Sequence, residues 1–192
     1  MSEVRPFRGW RPPRGLAGRV IAPPYDVLTP DECRALAADS LNFVHVTRSE
    51  VDLPDGADPH GEAAYAMARR NLDAMRASGT LVEDEAPCFY VYGLRMGGHR
   101  QVGFIGLASV AEYDDGRIKR HEHTRPDKED DRTRHMEVLD AQVGLVFLAY
   151  RASASLRAVA DEVTATEPAW RVTTEDGVEH ALWPAGGAVA AR

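Results

Sequence analysis

The feature that most constrains the fold is a pair of β-rich runs joined through two glycines. The first run reads Phe-Tyr-Val-Tyr-Gly-Leu over residues 89–94, and the second covers residues 101–110. Gly97 and Gly98 lie between the runs, and such a pair readily adopts the positive φ angles of a tight turn. The sequence therefore predicts an antiparallel β-hairpin in the middle of the chain.

Two helices are predicted before the hairpin. Residues 29–32 read Thr-Pro-Asp-Glu, in which the threonine suits an N-cap, the proline suits the first helical position and Glu32 has capping-box spacing. We expect this helix to run to about Ala38 and to bury Cys33, Leu36 and Ala37. The second helix covers residues 60–78, because apolar residues recur there at helical spacing and Gly79 follows as a stop signal. Its predicted buried residues are Tyr65, Ala68, Leu72 and Met75.

The rest of the chain mixes short strands and helices. Helices are predicted over residues 127–142 and 153–163, strands over 43–47, 117–122, 143–150, 170–173 and 179–183, a loop over 48–61 and a turn over 111–116. This order is not a strict repeat of strand, helix and strand, so we predict an α+β fold. We expect a mixed, largely antiparallel sheet with three to four helices packed on it. The sequence predicts a single domain over residues 1–184 and a flexible C-terminal tail over 185–192.

Composition is typical of a globular protein. Hydrophobic residues make up 44% of the 192 residues, enough apolar surface to offset the entropy of ordering the chain. The longest apolar run, residues 143–150, is far shorter than the roughly 20 residues that span a bilayer. The first residues lack the apolar core of a secretory signal, so we expect a cytoplasmic protein with no membrane partner. Cys33 and Cys88 lack the spacing of a zinc site and are expected to be buried thiols.

Positive charge is concentrated at the start of a chain whose net charge is −7. Residues 1–25 hold five arginines and one glutamate, with Phe7 and Trp10 among them. Such a segment could bind a phosphate backbone while its aromatic rings stack on bases. However, an acidic protein is a poor general binder of nucleic acid, and the prolines and glycines of this segment favour a short strand and turns. A nucleic-acid partner is therefore disfavoured.

Residues 119–135 carry the densest set of titratable side chains. Of these 17 residues, three are His, five are acidic and six are Lys or Arg. The segment crosses a predicted corner between a strand and a helix, since Thr124 and Pro126 are typical of a helix start. Carboxylates and imidazoles at such a corner could hold a divalent ion or accept a proton, while basic side chains neutralise phosphate oxygens. The sequence thus indicates a polar site suited to phosphoryl transfer.

A structural interpretation of the same segment stays open. Acidic and basic residues spaced i and i+4 are ordinary ion pairs of a solvated helix, each contributing roughly a few tenths of a kcal/mol. A zinc site is disfavoured because no cysteine joins the histidines. The sequence has no Walker loop, Gly-x-Gly-x-x-Gly fingerprint or Gly-x-Ser-x-Gly elbow, which excludes the commonest nucleotide-binding and serine-nucleophile designs.

Several motifs follow one another in a fixed order. They are Arg-Pro-Phe at 5–7, Ala-Pro-Pro-Tyr-Asp-Val at 22–27, Asn-Phe-Val-His-Val-Thr-Arg at 42–48, and Arg-His-Glu-His-Thr-Arg-Pro-Asp-Lys at 120–128 with Asp131 and Arg132 after it. Together they resemble the bacterial and archaeal domain-of-unknown-function 1015 family, over roughly residues 4–183. The resemblance by itself implies little about mechanism.

The resemblance implies a link to kinases through a segment outside this sequence. Longer members of the family carry an Asp-Gly-His-His-Arg segment, which looks like the catalytic loop of free-serine kinases with a ParB/sulfiredoxin-like fold. The sequence here stops before any such segment. We therefore expect either half of an active site or the remnant of a larger enzyme.

The resemblance also adds two motifs to the candidate site. Tyr25 and Asp26 follow a rigid pair of prolines, and His45 and Arg48 lie at the end of the predicted strand 43–47. The structural alternatives are a lead-in to the following helix for the first motif and ordinary sheet packing for the second.

We predict a phosphate- or nucleotide-type small-molecule site of a kinase-like phosphotransferase, incomplete in this chain. Glu122 and Asp131 would hold a divalent ion or accept a proton, and the full set of catalytic candidates is His121, Glu122, His123 and Asp131. The substrate- or phosphate-binding candidates are Tyr25, Asp26, His45, Arg48, Arg125, Lys128 and Arg132. The metal and cofactor stay unknown, and Mg²⁺ with ATP or ADP would suit such a site.

Two alternatives belong to other classes of protein. One is a non-catalytic binding or regulatory module that contacts nucleic acid through the arginine-rich start, and phosphate-backbone binding of that kind weakens steeply with salt. The other is an inactive remnant of a larger enzyme, which would expose an apolar patch that the missing part had covered.

Overall fold

Helices and strands follow one another irregularly in the computed structural model, which describes residues 3–120 and 123–186. The helices are α1 (Ala17–Val20), α2 (Pro30–Leu36), α3 (Val44–Thr47), α4 (Glu62–Ala77), α5 (Val110–Asp114), α6 (Pro126–Leu139) and α7 (Ala154–Thr164), and a 3-10 helix covers Ser49–Asp52. The strands are β1 (Val4–Arg5), β2 (Trp10–Arg11), β3 (Val82–Glu83), β4 (Phe89–Met96), β5 (His99–Ile105), β6 (Leu107–Ala108), β7 (Trp170–Thr173) and β8 (Glu179–Ala185). These elements confirm the α+β class.

The described residues divide into two compact units. We call the first the sheet unit, which comprises residues 3–18, 82–120 and 149–186. We call the second the helical unit, which comprises residues 19–81 and 123–148. The charged segment 119–135 therefore contributes most of its described residues to the helical unit.

The sheet unit is built on four antiparallel strands in the order β5-β4-β8-β7. The predicted hairpin is confirmed as β4 and β5, and Gly97 in the turn has a φ of 57°. One face of the sheet buries Val91 and Trp183 against Val163 of α7. The opposite face buries Tyr90, Leu182 and Trp170 with Cys88 and Ala17. Two smaller antiparallel pairs, β1 with β6 and β2 with β3, complete the unit.

The helical unit forms where the capping and periodicity signals are strongest. Thr29 caps α2, and Glu32 completes the predicted capping box by accepting from the Thr29 amide at 2.8 Å. The buried residues of α4 include the predicted stripe of Tyr65, Ala68, Leu72 and Met75. Helix α4 ends at Ala77, and Gly79 follows with a φ of 76°. Helix α6 packs against α4 and buries Asp131, His135 and Leu139, which are spaced four residues apart.

The arginines of the chain start are paired rather than free. Each of the five forms an ion pair with a carboxylate, and the pairs are Arg5–Glu3, Arg8–Glu83, Arg11–Asp84, Arg14–Glu167 and Arg19–Asp39. The local positive charge that the sequence shows is therefore balanced within the fold. This pairing agrees with the expectation that the segment is structural.

The prediction of a strand over residues 43–47 is wrong, because residues 44–47 form the single helical turn α3. Asn42 explains the turn, since its side chain accepts from the Val44 amide at 3.0 Å and donates to the Ile21 carbonyl at 3.1 Å. Val44 and Val46 of this turn are fully buried. Local hydrogen bonding thus outweighs the β propensity of the run.

The prediction of a buried strand over residues 143–150 is also wrong. These residues form no helix or strand, and Val146 and Phe147 are each 78% exposed. A strand needs a neighbour for its N–H and C=O groups, and none of the strand pairs in the described residues includes this segment. Apolar composition alone therefore did not determine its conformation.

Smaller differences concern the corner before α6 and the chain end. The described part of the predicted strand 117–122 is irregular, because the Ile118 amide donates to Glu112 and holds a turn after α5. Helix α5 itself replaces most of the predicted turn 111–116. Ala185 belongs to β8 rather than to a tail, and residues 187–192 lie outside the described residues.

Two further expectations concern the cysteines and the membrane. Cys33 and Cys88 are both buried and free, as predicted. Among the described residues, no helix has the length and apolar character needed to cross a membrane.

Candidate functional site

The candidate site is centred on the carboxylate of Asp131, in the helical unit. Its side chain is only 5% exposed, yet it is an acidic residue on a polar helix. The Oδ1 atom accepts from the Tyr65 hydroxyl at 2.8 Å and from Nδ1 of His60 at 2.7 Å. The Oδ2 atom accepts from Nε and Nη2 of Arg132, at 2.8 and 2.6 Å. A carboxylate offers about four lone-pair positions, so this one is fully used.

Local structure explains why these groups meet. Pro126 occupies the first turn of α6, where its missing N–H costs nothing, and the helix then carries Asp131 onto the side that faces α4. Tyr65 lies in the first turns of α4, and His60 lies in the loop just before that helix. The start of α4 therefore supplies both a buried hydroxyl and an imidazole to the same oxygen of Asp131.

Arg132 is held from two directions. Its guanidinium carbon lies 4.1 Å from the centre of the Tyr25 ring, while Nε and Nη2 bind Asp131. Stacking on the ring and binding of the carboxylate together fix the plane of the guanidinium. Its Nη1 group forms no hydrogen bond to any described residue, and the side chain is 26% exposed.

His60 is held in a comparable way. Its Nδ1 atom binds the ionised Asp131, which fixes the proton on Nδ1 when the ring is neutral. The side chain is 50% exposed, so the opposite atom, Nε2, is accessible to a ligand. The arrangement combines an exposed imidazole with a buried carboxylate that orients it.

The pKa directions follow from these contacts. Burial raises the pKa of Asp131, but the hydrogen bonds from Tyr65, Arg132 and His60 outweigh burial, so its pKa lies below the ordinary value. Burial and the hydrogen bond to Asp131 raise the pKa of Tyr65 to about 12. Asp131 is therefore ionised and Tyr65 is protonated at neutral pH.

His135 forms the buried end of the cluster. Its Nε2 atom donates to the Val46 carbonyl at 3.0 Å, and its ring lies edge-on to Tyr65 with centroids 6.3 Å apart. Burial lowers the pKa of His135, so the ring is neutral. Its contacts support the packing of Tyr65, and it is too buried to meet a ligand.

Several predicted site residues join this cluster. Arg132 contacts both Asp131 and Tyr25, as described. Arg48 lies behind Tyr25, because its Nη1 donates to the Tyr25 carbonyl at 3.0 Å and to the Leu28 carbonyl at 3.1 Å. Arg48 thus fixes the backbone that presents the Tyr25 ring, and its Nε binds Glu50.

His45 has partners of its own. Its Nδ1 atom lies 2.9 Å from Asp52, and Asn71 donates to both the His45 carbonyl and the Asp52 carboxylate at 2.7 Å. The Nε2 atom is buried and has no hydrogen-bond partner in the described part of the chain. His45 therefore belongs to the contact between α3 and α4 and does not contact Asp131.

The remaining predicted residues are exposed or not described. The exposed ones are Asp26, His123, Arg125 and Lys128. Arg125 pairs with Asp127 at 2.7 Å and has no contact with Asp131. His121 and Glu122, two of the predicted catalytic residues, lie outside the described residues.

No metal centre is found among the residues that the structure describes, because no three His, Cys, Asp or Glu side chains converge there. Asp131 in particular has no unused lone pair for a cation. The geometry favours it as the group that orients His60 and Arg132.

Sequence reasoning missed His60 and the polar role of Tyr65. Tyr65 was predicted as a core residue from its helical spacing, and it is indeed buried. His60 is 71 residues from Asp131 in sequence, and nothing in the local pattern of either segment indicates their contact. The available signal was limited to a histidine directly before a strong helix start.

Comparison with known proteins identifies the family. No curated protein and no solved structure matches the chain. The model of one family, described as "Protein of unknown function (DUF1015)", matches residues 4–188. This match covers nearly all of the chain, including every residue of the Asp131 cluster, so the chain belongs to the DUF1015 family.

Proposed function

We propose that the helical unit binds a phosphate-bearing small molecule at Arg132 and His60, and that it supports phosphoryl transfer to a hydroxyl group. The observation that carries the proposal is the saturated carboxylate of Asp131. It holds two cationic or protonatable side chains, each of which keeps one atom free of other contacts. Groups fixed in this way bind an anion without losing further side-chain entropy.

Arg132 is the phosphate-binding group in this proposal. The stacked guanidinium offers Nη1, and an arginine in a fixed plane suits the oxygens of a phosphate. Its positive charge is paired with Asp131 in the free protein.

His60 is the acid/base group. When its Nδ1 proton is held by Asp131, Nε2 can accept the proton of a ligand hydroxyl. As that oxygen forms its bond to phosphorus, the bond from phosphorus to the oxygen of the leaving nucleoside diphosphate breaks, and the proton passes to Nε2. Asp131 touches neither reacting atom and is a positioning residue.

Mg²⁺ with a nucleotide would supply charge neutralisation for this chemistry. Asp131 does not fit the role of a metal ligand, since both of its oxygens are used. No metal-binding group of side chains is present within the described ranges. Phosphate oxygens of the nucleotide would coordinate such an ion. None of the steps above depends on a metal ligand from the protein.

The test is a thermal-shift titration of the full chain with ATP, ADP and phosphorylated metabolites, with and without magnesium. A ligand at 100 times its dissociation constant stabilises the protein by about 2.7 kcal/mol. We expect Arg132→Gln to weaken binding about tenfold, because one charge-assisted hydrogen bond is lost. His60→Ala should retain part of the binding and abolish transfer.

Arg70→Gln provides the matched control. Arg70 is an exposed residue of α4 whose guanidinium contacts the Met67 sulfur at 3.5 Å, so its replacement removes the same charge from the unit. If Arg70→Gln weakens binding as much as Arg132→Gln, the effect is general electrostatics and the proposal is wrong. A protein that unfolds cooperatively and responds to none of the ligands would also contradict it.

The exposed apolar segment favours a second candidate function, a non-catalytic module that binds another polypeptide. Leu145, Val146 and Phe147 are each more than two thirds exposed, which is unusual for three consecutive large apolar residues. Replacing Val146 and Phe147 with serine would leave the ligand titration unchanged under the first proposal. Loss of a copurifying polypeptide in that variant, without any ligand response in the wild type, would favour the second.

A further inference from the structure

A recess of about 240 Å³ lies on one face of the sheet unit, and no residue of the Asp131 cluster lines it. It is lined by residues of β4, β5, β7, β8 and the end of α7. Gly93 and Ala181 are paired across β4 and β8, and both belong to its lining. Trp183 and Thr164 also line it.

Strand register places three arginines around this recess. Arg95 of β4 lies directly opposite Arg100 of β5. On its other side, Arg95 lies opposite Glu179 of β8, which forms an ion pair with Arg171 at 3.4 Å. All four side chains line the recess, so it holds three guanidinium groups and one carboxylate.

The charges around the recess are unbalanced. Like charges directly opposite each other on paired strands destabilise a sheet. Arg95 and Arg100 form no ion pair with any described residue, whereas each arginine of residues 5–19 does. The group therefore carries a net charge of two positive units once Glu179 is counted. An anion with two negative charges would balance it.

The space in the recess depends on a glycine. A Cβ at position 93 would lie 3.1 Å from the Trp183 ring, so a side chain there would require the ring to shift by a few tenths of an ångström. Trp183 is fixed by its indole N–H, which donates to the Thr166 carbonyl at 2.9 Å. Gly93, Ala181 and Trp183 are all buried, so the base of the recess is rigid while the arginines at its rim are exposed.

We propose that this recess binds a small dianion, either a phosphate monoester or a dicarboxylate, through Arg95, Arg100 and Arg171. Arginine provides a planar pair of donors that matches both phosphate and carboxylate oxygens. The volume is below the roughly 300 Å³ at which pockets for drug-sized ligands begin, so the ligand is small. This site lies wholly in the sheet unit and does not depend on the function proposed for the helical unit.

The test uses the isotope-labelled full chain and two-dimensional NMR. Inorganic phosphate and succinate are titrated as dianions, with acetate and chloride as monoanion controls at equal ionic strength. We expect saturable shifts at Gly93, Ala181 and the Trp183 indole for at least one dianion and none for the controls. Saturation with phosphate alone assigns the site to phosphate monoesters, and saturation with succinate alone assigns it to dicarboxylates.

Variants separate the site from general charge. Arg95→Gln with Arg100→Gln should weaken binding about tenfold or more, because two charge-assisted contacts are lost. Arg151→Gln with Arg157→Gln removes the same charge from exposed positions of the sheet unit outside the recess and should leave affinity within about twofold. The edge-strand variant Arg100→Gln alone tests the site if the first pair fails to fold.

Three results would overturn the proposal. One is the absence of saturable shifts at the recess with both dianions. Another is equal weakening by the two double variants. The third is weakening by Arg132→Gln, because that residue belongs to the helical unit and to the other proposed site.

Discussion

Replacement of Asp131 with alanine should cost a large part of the stability of the helical unit. The change removes the acceptor of four hydrogen bonds at once, from Tyr65, His60 and Arg132. The buried Tyr65 hydroxyl would have no acceptor, at a cost of about 1–3 kcal/mol. Arg132 would lose its carboxylate, although its partial exposure lets water solvate it. Together with about 1 kcal/mol for the lost hydrogen bonds of His60 and Arg132, we expect the free energy of unfolding to fall by about 2–4 kcal/mol.

Asp131→Asn should cost less, about 1–3 kcal/mol. Asparagine keeps one acceptor oxygen for Arg132, while its amide N–H can donate to the Tyr65 hydroxyl and to the Nδ1 atom of His60. The second contact requires the proton of His60 to move to Nε2. The asparagine variant therefore keeps the fold, but its His60 has no unprotonated Nε2 to accept the proton of a ligand hydroxyl. We expect a large loss of transfer activity with only a moderate loss of stability.

Urea unfolding measured by far-UV circular dichroism is the suitable assay. The three tryptophans, at positions 10, 170 and 183, all lie in the sheet unit, so tryptophan fluorescence reports on that unit instead. The loss of stability in Asp131→Ala should therefore be read from the helical signal. Both variants should be compared with Asp130→Ala, an exposed neighbour on the same helix, which should change stability by less than about 0.5 kcal/mol.

A double-mutant cycle with Tyr65→Phe provides the refuting result. Tyr65→Phe alone should cost about 1 kcal/mol through the lost hydrogen bond. In the Asp131→Ala background it should cost less, because it removes a hydroxyl that is already without a partner. If the losses of unfolding free energy caused by the two changes simply add, the hydrogen bond from Tyr65 to Asp131 contributes nothing to stability. An Asp131→Ala protein as stable as the wild type would refute the whole account of the cluster.

Three further predictions concern other contacts. Burial lowers the pKa of His135, so below about pH 6.5 the unfolded chain binds more protons than the native protein. The free energy of unfolding should therefore fall as the pH drops. Urea titrations at several pH values should show a smaller pH dependence for His135→Gln. Tyr25→Leu should cost about 0.5–1 kcal/mol by removing the ring beneath Arg132, whereas Tyr25→Phe should be close to neutral in the same assay. Gly9→Ala should cost about 1–3 kcal/mol, detected by tryptophan fluorescence, because its Cβ would lie 2.5 Å from the Tyr90 hydroxyl; an unchanged unfolding midpoint would contradict this contact.

Local signals allowed much of the fold to be predicted. The capping box at Thr29 and Glu32, the apolar spacing of α4 and the glycine turn after β4 each depend on residues only a few positions apart. The run at 143–150 has an equally clear local pattern, but strand formation depends on a partner elsewhere in the chain. These three elements were predictable because their stabilising contacts are close in sequence, whereas in residues 43–47 a local hydrogen bond from Val44 to Asn42 overrode the pattern.

For the candidate site, the sequence selected more residues than the structure brings together. Asp131, Arg132, Tyr25 and Arg48 were selected because of charge density and the family motifs, and the structure places them in or beside one cluster. Arg125 and Lys128 have the same charge density but lie on the solvated side of α6. Sequence could not separate these two sets, because the difference depends on which face of α6 packs against α4.

The exposed apolar segment also bears on how this chain behaves at high concentration. Residues 145–150 read Leu-Val-Phe-Leu-Ala-Tyr, six residues with no charge, no proline and no glycine. Segments of this composition form in-register intermolecular sheets when they are accessible, and their unpaired backbone groups make that association directional. We therefore expect association at high concentration to begin at this short stretch, where a single added lysine would act as a gatekeeper against fibre growth.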